Sequence, residues 1–236
     1  KTLKWKIKEY LRGRIIKNFG GIITQIYGDY ELAKEWYGAK AKYYYSFLYP
    51  SNLYKDIVIN ESTKDDSKLY IQVGNSACPT NEHIEVFDKL TKHMDKEFEV
   101  ICPLSYSGKQ DYVNKVVSKG YELFGRERFN PILEFLPYND YLELLGKIDI
   151  SIFNHRRQKA LGNITTLLAL GKKVYIRPEI TTWGFCKDHN FKVYNANSNL
   201  DDLFEPISNQ DKEINKKIMR EQFSEEKLIK DWDRIF

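Results

Sequence analysis

The feature that most constrains this fold is an alternation of short apolar segments with helical segments that begins at residue 69. The apolar segments predict strands, at residues 69–73, 98–102, 132–135, 148–153, 173–176 and 191–194. Segments of helical length separate them, at about 81–94, 109–119, 138–146, 160–170 and 181–188. Neighbouring parallel strands need a crossover connection, usually a helix. The alternation therefore predicts a Rossmann-like, doubly wound parallel sheet with helices on both faces.

The chain before this alternation has a different pattern. It predicts a basic helix over residues 1–17, in which Leu3, Ile7, Leu11 and Ile15 recur every four residues. The remaining predicted elements are a strand at 22–27, a helix near 31–37, an aromatic strand at 43–49 ended by Pro50, and a polar linker at 60–68. We therefore predict two domains, 1–66 as an N-terminal remnant with its linker and 67–236 as the Rossmann-like domain, which ends in one long charged helix at 209–234.

Composition narrows the class of protein. Apolar residues make up 42% of the chain, and no apolar run approaches the roughly 20 residues that span a bilayer. An odd number of widely spaced cysteines, Cys78, Cys102 and Cys186, suits free thiols in a reducing compartment. We therefore expect a cytosolic globular protein, and from the initial Lys1 in place of Met we expect a fragment whose upstream part is missing.

The loop after the first strand of the alternation carries groups suited to a phosphate. Its candidate residues are Gly74, Asn75 and Ser76. Glycine lets the backbone turn sharply, and the N-terminus of the next helix, which carries His83, favours an anion. The alternative is an ordinary turn in which Thr80 or Asn81 caps that helix.

Cationic side chains follow the fourth strand, and they are His155, Arg156, Arg157 and Lys159. Gly162 and Asn163 then open a Leu-rich helix. An arginine fork and a helix N-terminus together suit a diphosphate. A charged run is often only a solvated face, but this one stands at the carboxyl end of a strand, where open parallel sheets bind ligands.

Two further loops offer contacts to a sugar nucleotide. Tyr106 follows the second strand and could close a pocket, while Glu179 follows the fifth strand and could accept hydrogen bonds from sugar or ribose hydroxyls. Trp183 could stack on a ring. The alternatives are that Tyr106 covers the sheet edge in a plain turn, Glu179 belongs to the first helical turn and Trp183 is a core residue.

Several classes of site have no sequence support. The chain has no G-x-G-x-x-G, no phosphate-binding G-x-x-x-x-G-K-[ST] and no G-x-S-x-G. Its four histidines are scattered, and no Cys/His pair has zinc spacing. The single D-x-D, at Asp231 and Asp233, falls in the predicted terminal helix, where a surface position is expected rather than a cation site. We therefore expect neither a metal nor another cofactor.

These loops resemble, in order and spacing, the TDP-N-acetylfucosamine:lipid II N-acetylfucosaminyltransferases (4-alpha-L-fucosyltransferases) that help to build enterobacterial common antigen. The resemblance is best over residues 69–195. It rests on the segments 73–76 (VGNS), 81–84 (N-x-H-I), 100–106 (VICPLSY), 120–124 (GYELF), 133–138 (LEFLPY), 157–158 (RQ) and 162–164 (GNI).

The resemblance implies a GT-B architecture, in which the active site lies between two Rossmann-like domains and the C-terminal domain binds the donor. It implies a bacterial, metal-independent hexosyltransferase that moves a deoxy-amino sugar from a TDP-linked donor to an undecaprenyl-diphosphate-linked saccharide at the cytoplasmic face of the inner membrane. The general base is expected on the missing N-terminal half. No catalytic residue is therefore nominated, and this chain alone is expected to bind donor without turnover.

The resulting hypothesis places the donor diphosphate on the loop at 74–76 and at the helix that starts near Gly162. Arg156 and Arg157 neutralise charge as the bond to phosphate breaks, Glu179 orients the ribose or sugar, and Tyr106 closes the pocket.

Two alternative functions stay open, and so do two roles for the N-terminal helix. One is a non-catalytic nucleotide-sugar-binding or scaffold subunit of a polysaccharide assembly complex. Another is nucleic-acid binding through the N-terminal lysines and tyrosines, which the near-neutral remainder of the chain disfavours. The basic helix at 1–17 either rests peripherally on anionic lipid or covers the core of its own domain.

Overall fold

The computed structural model describes residues 2–46, 53–54 and 64–236. Residues 47–49 of the predicted aromatic strand, the Pro50 that ends it, and residues 60–63 of the predicted linker lie outside this described part. In chain order the elements are α1 (Leu3–Lys17), β1 (Gly21–Ile23), α2 (Tyr27–Tyr37), β2 (Lys42–Tyr44), β3 (Leu69–Val73), α3 (His83–Leu90), β4 (Phe98–Pro103), α4 (Gln110–Arg128), β5 (Phe129–Ile132), α5 (Tyr138–Lys147), β6 (Ile150–Phe153), α6 (Leu161–Ala169), β7 (Lys173–Ile176), α7 (Thr181–Asp188), β8 (Tyr194–Asn195), α8 (Asn209–Gln222) and α9 (Glu225–Asp233).

The chain divides into two compact units. The smaller comprises Lys1–Leu53 with Glu221–Phe236, and the larger comprises Tyr54–Arg220. The predicted domain boundary after residue 66 stays a prediction. No helix in the described residues is long and apolar enough to cross a membrane.

The larger unit is built on a six-stranded parallel sheet in the order β5-β4-β3-β6-β7-β8. Its first strand in sequence, β3, lies at the centre between β4 and β6. The chain therefore winds outwards in one direction through β4 and β5, and then in the other through β7 and β8. Because such crossovers are right-handed, the two halves place their helices on opposite faces of the sheet. The predicted doubly wound fold is confirmed.

The central strands are apolar because both of their faces are covered. Every residue of β6 and β7 is buried, and so are the last three residues of β3. Burial of such strands between helices supplies the main stabilisation, at about 1.5–3 kcal/mol for each large apolar side chain. A cluster of edge-to-face rings extends this core under β4 and β5, with Phe87 5.5 Å from both Phe124 and Phe129 between ring centroids.

Several predicted elements of the larger unit are wrong in position. The third strand is at Phe129–Ile132 rather than 132–135, because helical structure runs past residue 119 as far as Arg128, with a break at Gly125, whose φ of +71° and ψ of 179° are not helical. Gly120 permits this continuation, since a Cβ there would lie 2.3 Å from the Phe129 ring. The last strand comprises only Tyr194–Asn195, not 191–194. The helix predicted at 81–94 is confined to His83–Leu90 by short 3-10 turns on either side.

The predicted long terminal helix is two helices. Ser224 interrupts it and caps α9, accepting a hydrogen bond from the Lys227 backbone N–H at 3.1 Å. Asp231 is buried rather than on the surface, with 3% of its area exposed, and its carboxylate pairs with Lys227. The expected surface position of this aspartate is therefore wrong.

The smaller unit contains a parallel strand pair, β1 with β2, and the helices α1, α2 and α9. The strand predicted at 22–27 is shorter, because α2 already begins at Tyr27. Helix α1 contacts α2 through Glu9 and Gly13. The Tyr37 hydroxyl donates to the Glu9 carboxylate, and a Cβ on Gly13 would lie 3.1 Å from the Tyr37 ring. The predicted apolar stripe of α1 lies on the opposite side, because helical geometry places it roughly half a turn away from these two residues.

Candidate functional site

The loops that follow β3 and β6 lie side by side, because these two strands are neighbours in the sheet. We call residues 74–82 the β3–α3 loop and residues 154–160 the β6–α6 loop. The sheet order reverses between β3 and β6, and the carboxyl ends of strands at such a switch point form the usual ligand crevice of an open α/β sheet. Both loops were predicted to hold site residues, and the fold brings them together.

The β3–α3 loop turns sharply at Gly74, as predicted. Its φ is +68°, and a Cβ there would lie 2.6 Å from Asn81 Oδ1 and 2.8 Å from His83 Nε2. Only glycine accepts both this conformation and this proximity. The alternative in which Thr80 or Asn81 caps α3 is wrong, because the residue at the N-cap is Glu82 and the Asn81 side chain turns back into the loop.

The polar groups of the β3–α3 loop are largely satisfied within the protein. The backbone N–H of Gly74 donates to Ile152 O, that of Asn75 to Asn81 Oδ1, and that of Ala77 to Tyr106 O. These three N–H groups are therefore held by protein acceptors. A ligand at this loop would meet a fixed surface, and not a cradle of free backbone donors.

Asn75 connects this loop to Tyr106. The Asn75 side-chain amide donates to the Tyr106 hydroxyl at 2.7 Å, and burial raises the pKa of that hydroxyl even though the Asn75 amide opposes the shift. Ser76 is fully buried, whereas 44% of Tyr106 is exposed. Of these predicted contacts, Tyr106 is partly exposed and the mostly buried Asn75 reaches the cavity described below, while Ser76 supports the loop from inside.

His83 lies fully buried at the start of α3. Its Nδ1 is 3.0 Å from the Tyr112 hydroxyl, and burial lowers the pKa of the imidazole to about 4. A buried, neutral histidine next to Gly74 contributes to the support of the turn. The geometry gives it no accessible surface for a ligand.

Two arginines and a lysine of the β6–α6 loop bring positive charge to the switch point. Arg156 is exposed and its Nε lies 2.8 Å from the Glu82 carboxylate, while Arg157 is exposed with Nη2 3.9 Å from the sulfur of Cys78. Burial of that thiol raises its pKa, but hydrogen bonds with Thr80 and the nearby Lys159 ammonium outweigh burial and lower the pKa to about 7. The Lys159 ammonium thus favours the thiolate, after the larger effect of the hydrogen bonds with Thr80.

Helix α6 begins immediately after these cations. Its N-cap is Ala160, held in the left-handed region at φ +59° and ψ 20°, and no side chain among the described residues caps the helix. The first turn contains Gly162 and Asn163, and the Asn163 amide oxygen accepts from the Tyr141 hydroxyl at 2.6 Å. A helix start without a side-chain cap, next to arginines, is a favourable place for an anion.

A cavity of about 280 Å³ opens at the carboxyl ends of β3, β4 and β5. Three predicted site residues, Asn75, Tyr106 and Asn163, lie in its wall. The other wall residues are Pro103, Ser105, Ile132, Glu134, Phe135, Leu136, Tyr138 and Tyr141. The cavity is thus mainly apolar and aromatic, with a few polar groups at defined points.

Sequence reasoning missed most of this cavity wall. Of the apolar run predicted as a strand at 132–135, only Ile132 belongs to β5, and residues 133–135 lie in a loop beyond its end. Leu133 is 51% exposed and Phe135 is 80% exposed, which a strand covered on both faces would not permit. The signal available in the sequence was Pro137, which follows the run and is typical of a loop.

Two predicted contacts lie elsewhere. Glu179 is exposed before α7, and its carboxylate accepts a hydrogen bond from the Asn197 amide. Trp183 is half-buried, with the Lys187 ammonium 4.5 Å from the ring centroid, so it is not a core residue. Neither residue lies in the wall of the cavity. No group of three or more metal-ligating side chains occurs within the described segments.

The fold is that of GT-B glycosyltransferases. A glycosyltransferase from Rickettsia africae superposes with a TM-score of 0.75 at 13% identity, over 98% of this chain and 66% of that one. Anabaena HepE, solved with UDP and glucose, superposes with a TM-score of 0.74 at 14% identity, again over 98% of this chain and 66% of that one. Sucrose-phosphate synthase from Thermosynechococcus elongatus gives 0.76 at 9% identity, over 98% and 61%.

The family is more specific than the fold. The family model described as 4-alpha-L-fucosyltransferase, glycosyl transferase group 56, matches residues 1–235, and the chain belongs to this family of transferases. The resemblance inferred from the sequence is confirmed. The chain spans 66% of the length of each of the first two of these solved structures.

Proposed function

We propose that the larger unit binds a nucleoside-diphosphate sugar across the switch point, as the donor site of a fucosyltransferase-family enzyme. The observation that supports this most directly is the adjacency of an apolar cavity and an uncapped, cation-flanked helix start, joined at Asn163. A nucleotide sugar has both parts, a planar base with a sugar and a dianionic diphosphate. HepE, which shares this fold, was solved with UDP-glucose.

The diphosphate is assigned to the start of α6. Backbone N–H groups of the first turn and the guanidinium groups of Arg156 and Arg157 supply donors and positive charge there. Arg156 is already paired with Glu82, so Arg157 is the arginine with the smaller electrostatic cost of turning towards a ligand. Lys159 adds charge without a fixed geometry.

The nucleoside is assigned to the cavity. Apolar and aromatic walls suit the faces of a planar base, and the amides of Asn75 and Asn163 can meet its polar edge. The Glu134 carboxylate in the same wall would repel phosphate but accept hydrogen bonds from hydroxyl groups. This distribution of charge supports a donor that lies with its base in the cavity and its diphosphate at α6.

The proposed reaction transfers a deoxy-amino sugar, resembling N-acetylfucosamine, from TDP to a lipid-linked saccharide. An acceptor hydroxyl oxygen forms the new bond to the anomeric carbon while the bond to the diphosphate breaks, and TDP leaves with the electron pair. In this proposal the arginines and the α6 N-terminus stabilise the leaving diphosphate without a metal. The base that takes the acceptor proton is assigned to a part of the whole enzyme beyond this chain.

We further propose that α1 rests on the cytoplasmic face of the membrane, where a lipid-linked acceptor would lie. Its apolar stripe is exposed, from 53% at Ile7 and Leu11 to 73% at Leu3. Residues 1–17 hold seven basic side chains and one acid. Anionic lipid attracts such a segment by about 1 kcal/mol for each Lys or Arg near the surface.

Vesicle sedimentation tests the membrane proposal. Lys4→Gln with Lys8→Gln should release the protein from vesicles that contain phosphatidylglycerol. Lys115→Gln with Lys119→Gln, the same spacing on α4, should not. Equal binding of both variants would instead support the alternative in which the stripe of α1 covers the rest of its own domain.

Calorimetric titration with TDP, UDP and GDP, with and without magnesium, tests the donor proposal. Binding that favours TDP and is unchanged by magnesium is the expected result. Tighter binding of UDP or GDP would keep the site and change the donor. Absence of binding to all three, in this chain and in a full-length protein, would refute the donor site.

A further inference from the structure

The β3–α3 and β6–α6 loops are joined by consecutive contacts along both loops. The Thr80 carbonyl accepts from the Arg156 backbone N–H at 3.0 Å, and the Glu82 carboxylate pairs with the Arg156 side chain. Between them, Asn81 Oδ1 lies 2.7 Å from His155 Nε2. Asn81 and His155 are both fully buried, so this central contact is shielded from water.

The orientation of the Asn81 amide is fixed by backbone groups. Its Oδ1 accepts from the Asn75 N–H at 3.1 Å, while its Nδ2 donates to the carbonyl oxygens of Ser76 at 3.1 Å and Cys78 at 2.9 Å. If the amide were reversed, its NH₂ group would face the Asn75 N–H, which is also a donor. Its oxygen would then face two carbonyl oxygens, which are also acceptors. Oδ1 must therefore be the atom that faces His155.

This orientation decides the state of His155. Nε2 faces Asn81 Oδ1 and also lies 3.1 Å from Asn75 Oδ1, so it must carry a hydrogen. Burial, with the nearby charges of Lys159 and Arg157, lowers the pKa of the imidazole to about 3, and the ring is neutral at physiological pH. A neutral ring has one N–H, and Nδ1 is consequently the bare nitrogen.

We infer that Asn81 and His155, as its Nε2–H tautomer, are positioning residues that lock the β6–α6 loop against the β3–α3 loop. Arg156 and Arg157 follow His155 directly, so the lock sets the position of the backbone from which the two guanidinium groups extend. The functional part of this inference rests on the proposed donor site. Both side chains are fully buried, so their effect on a donor would pass through the arginines and through Asn75.

Two substitutions of one residue separate positioning from simple packing. In His155→Gln, the amide nitrogen reaches the place of Nε2 and can still donate to Asn81. In His155→Asn, the amide is one carbon shorter and the donor is lost. Both variants lose the ring and its stacking on Phe153, whose centroid is 5.7 Å away, so both should lower the melting temperature.

The expected result is a difference in loop position and in affinity. The amide NMR resonances of residues 156–159 should move in both variants, because both lose the ring, but they should move further in His155→Asn, which also loses the donor to Asn81. The TDP dissociation constant should change by less than about threefold in His155→Gln, but rise by about tenfold or more in His155→Asn, as the loss of one buried hydrogen bond predicts. Equal effects of the two substitutions on the resonances would overturn the inference.

A measurement on the unsubstituted protein needs no variant to fold. The ¹⁵N chemical shifts of His155 should show a protonated Nε2 and an unprotonated Nδ1, and the opposite tautomer would overturn the inference. If the protein binds no nucleotide, only the proposed function is refuted. The tautomer and the loop resonances would still decide whether Asn81 and His155 lock the two loops together.

Discussion

Gly74→Ala is the substitution that most directly tests how the switch point is built. An alanine at φ +68° costs about 1–2 kcal/mol in backbone energy. Its Cβ would lie 2.6 Å from Asn81 Oδ1, so the buried amide must move and its hydrogen bonds weaken. The loss of two such bonds adds about 2 kcal/mol, giving a total of about 3–4 kcal/mol. For a chain of this size, that corresponds to a fall in melting temperature of about 6–16 °C.

Gly171→Ala is the matched control for this substitution. Gly171 lies in the same unit with φ +69°, but its nearest neighbours are side-chain carbons of Lys212 and Lys216 at 3.2–3.5 Å. These flexible side chains can yield, so only the backbone cost of about 1–2 kcal/mol is expected. Denaturant unfolding of both variants, followed by circular dichroism, gives the comparison. A Gly74→Ala variant no less stable than Gly171→Ala would refute the proposed packing of Asn81 against the turn.

Three further predictions concern binding and pH. Arg157→Ala should raise the TDP dissociation constant, measured by calorimetry, by about 10- to 100-fold, because one charge-assisted hydrogen bond is lost. Arg157→Lys should recover only part of the affinity. Unchanged affinity in Arg157→Ala would remove Arg157 from the site. Tyr106→Phe removes the acceptor of the Asn75 amide, and it should weaken TDP binding by about three- to tenfold while leaving far-ultraviolet circular dichroism unchanged. Because the pKa values of His83 and His155 are lowered in the fold, to about 4 and about 3, their contribution to stability is present above about pH 6.5 and is lost as the pH falls. Denaturant unfolding should show that the free energy of unfolding falls by about 2 kcal/mol per histidine between pH 7 and pH 5, and by less after either histidine is replaced by Gln. If the replacement left this pH dependence unchanged, the rings would not be buried as neutral bases.

The doubly wound sheet was predictable because its strands are buried on both faces. Such strands appear in sequence as short apolar runs, and β3 and β7 were located to the residue. The ends of elements were harder to locate. Helix α4 passes the predicted end at residue 119 because Gly120 packs against Phe129, a contact between two elements that leaves no local signal, and its helical path breaks only later, at Gly125.

The candidate site was predictable only where a loop follows a strand directly. Asn75 and the arginines of the β6–α6 loop were found in this way. The cavity wall at residues 133–136 was missed, because an apolar run beyond a strand looks like the strand itself. The role of Asn81 was also missed, since a polar residue before a helix is usually a cap, and only the three-dimensional turn at Gly74 directs its amide inwards.

The central position of β3 has a consequence for how the protein folds. This strand is the first of its sheet to be synthesised, and its partner β4 follows soon after, with Leu69 opposite Phe98. Its other partner, β6, lies more than twice as far along the chain, with Ile71 opposite Ile150. Until β6 emerges from the ribosome, one edge of an apolar strand stays unpaired and open to association with another chain. Such long-range pairing is slow, so the two loops of the switch point meet only late in folding, and nascent chains halted before β6 should depend most on chaperones.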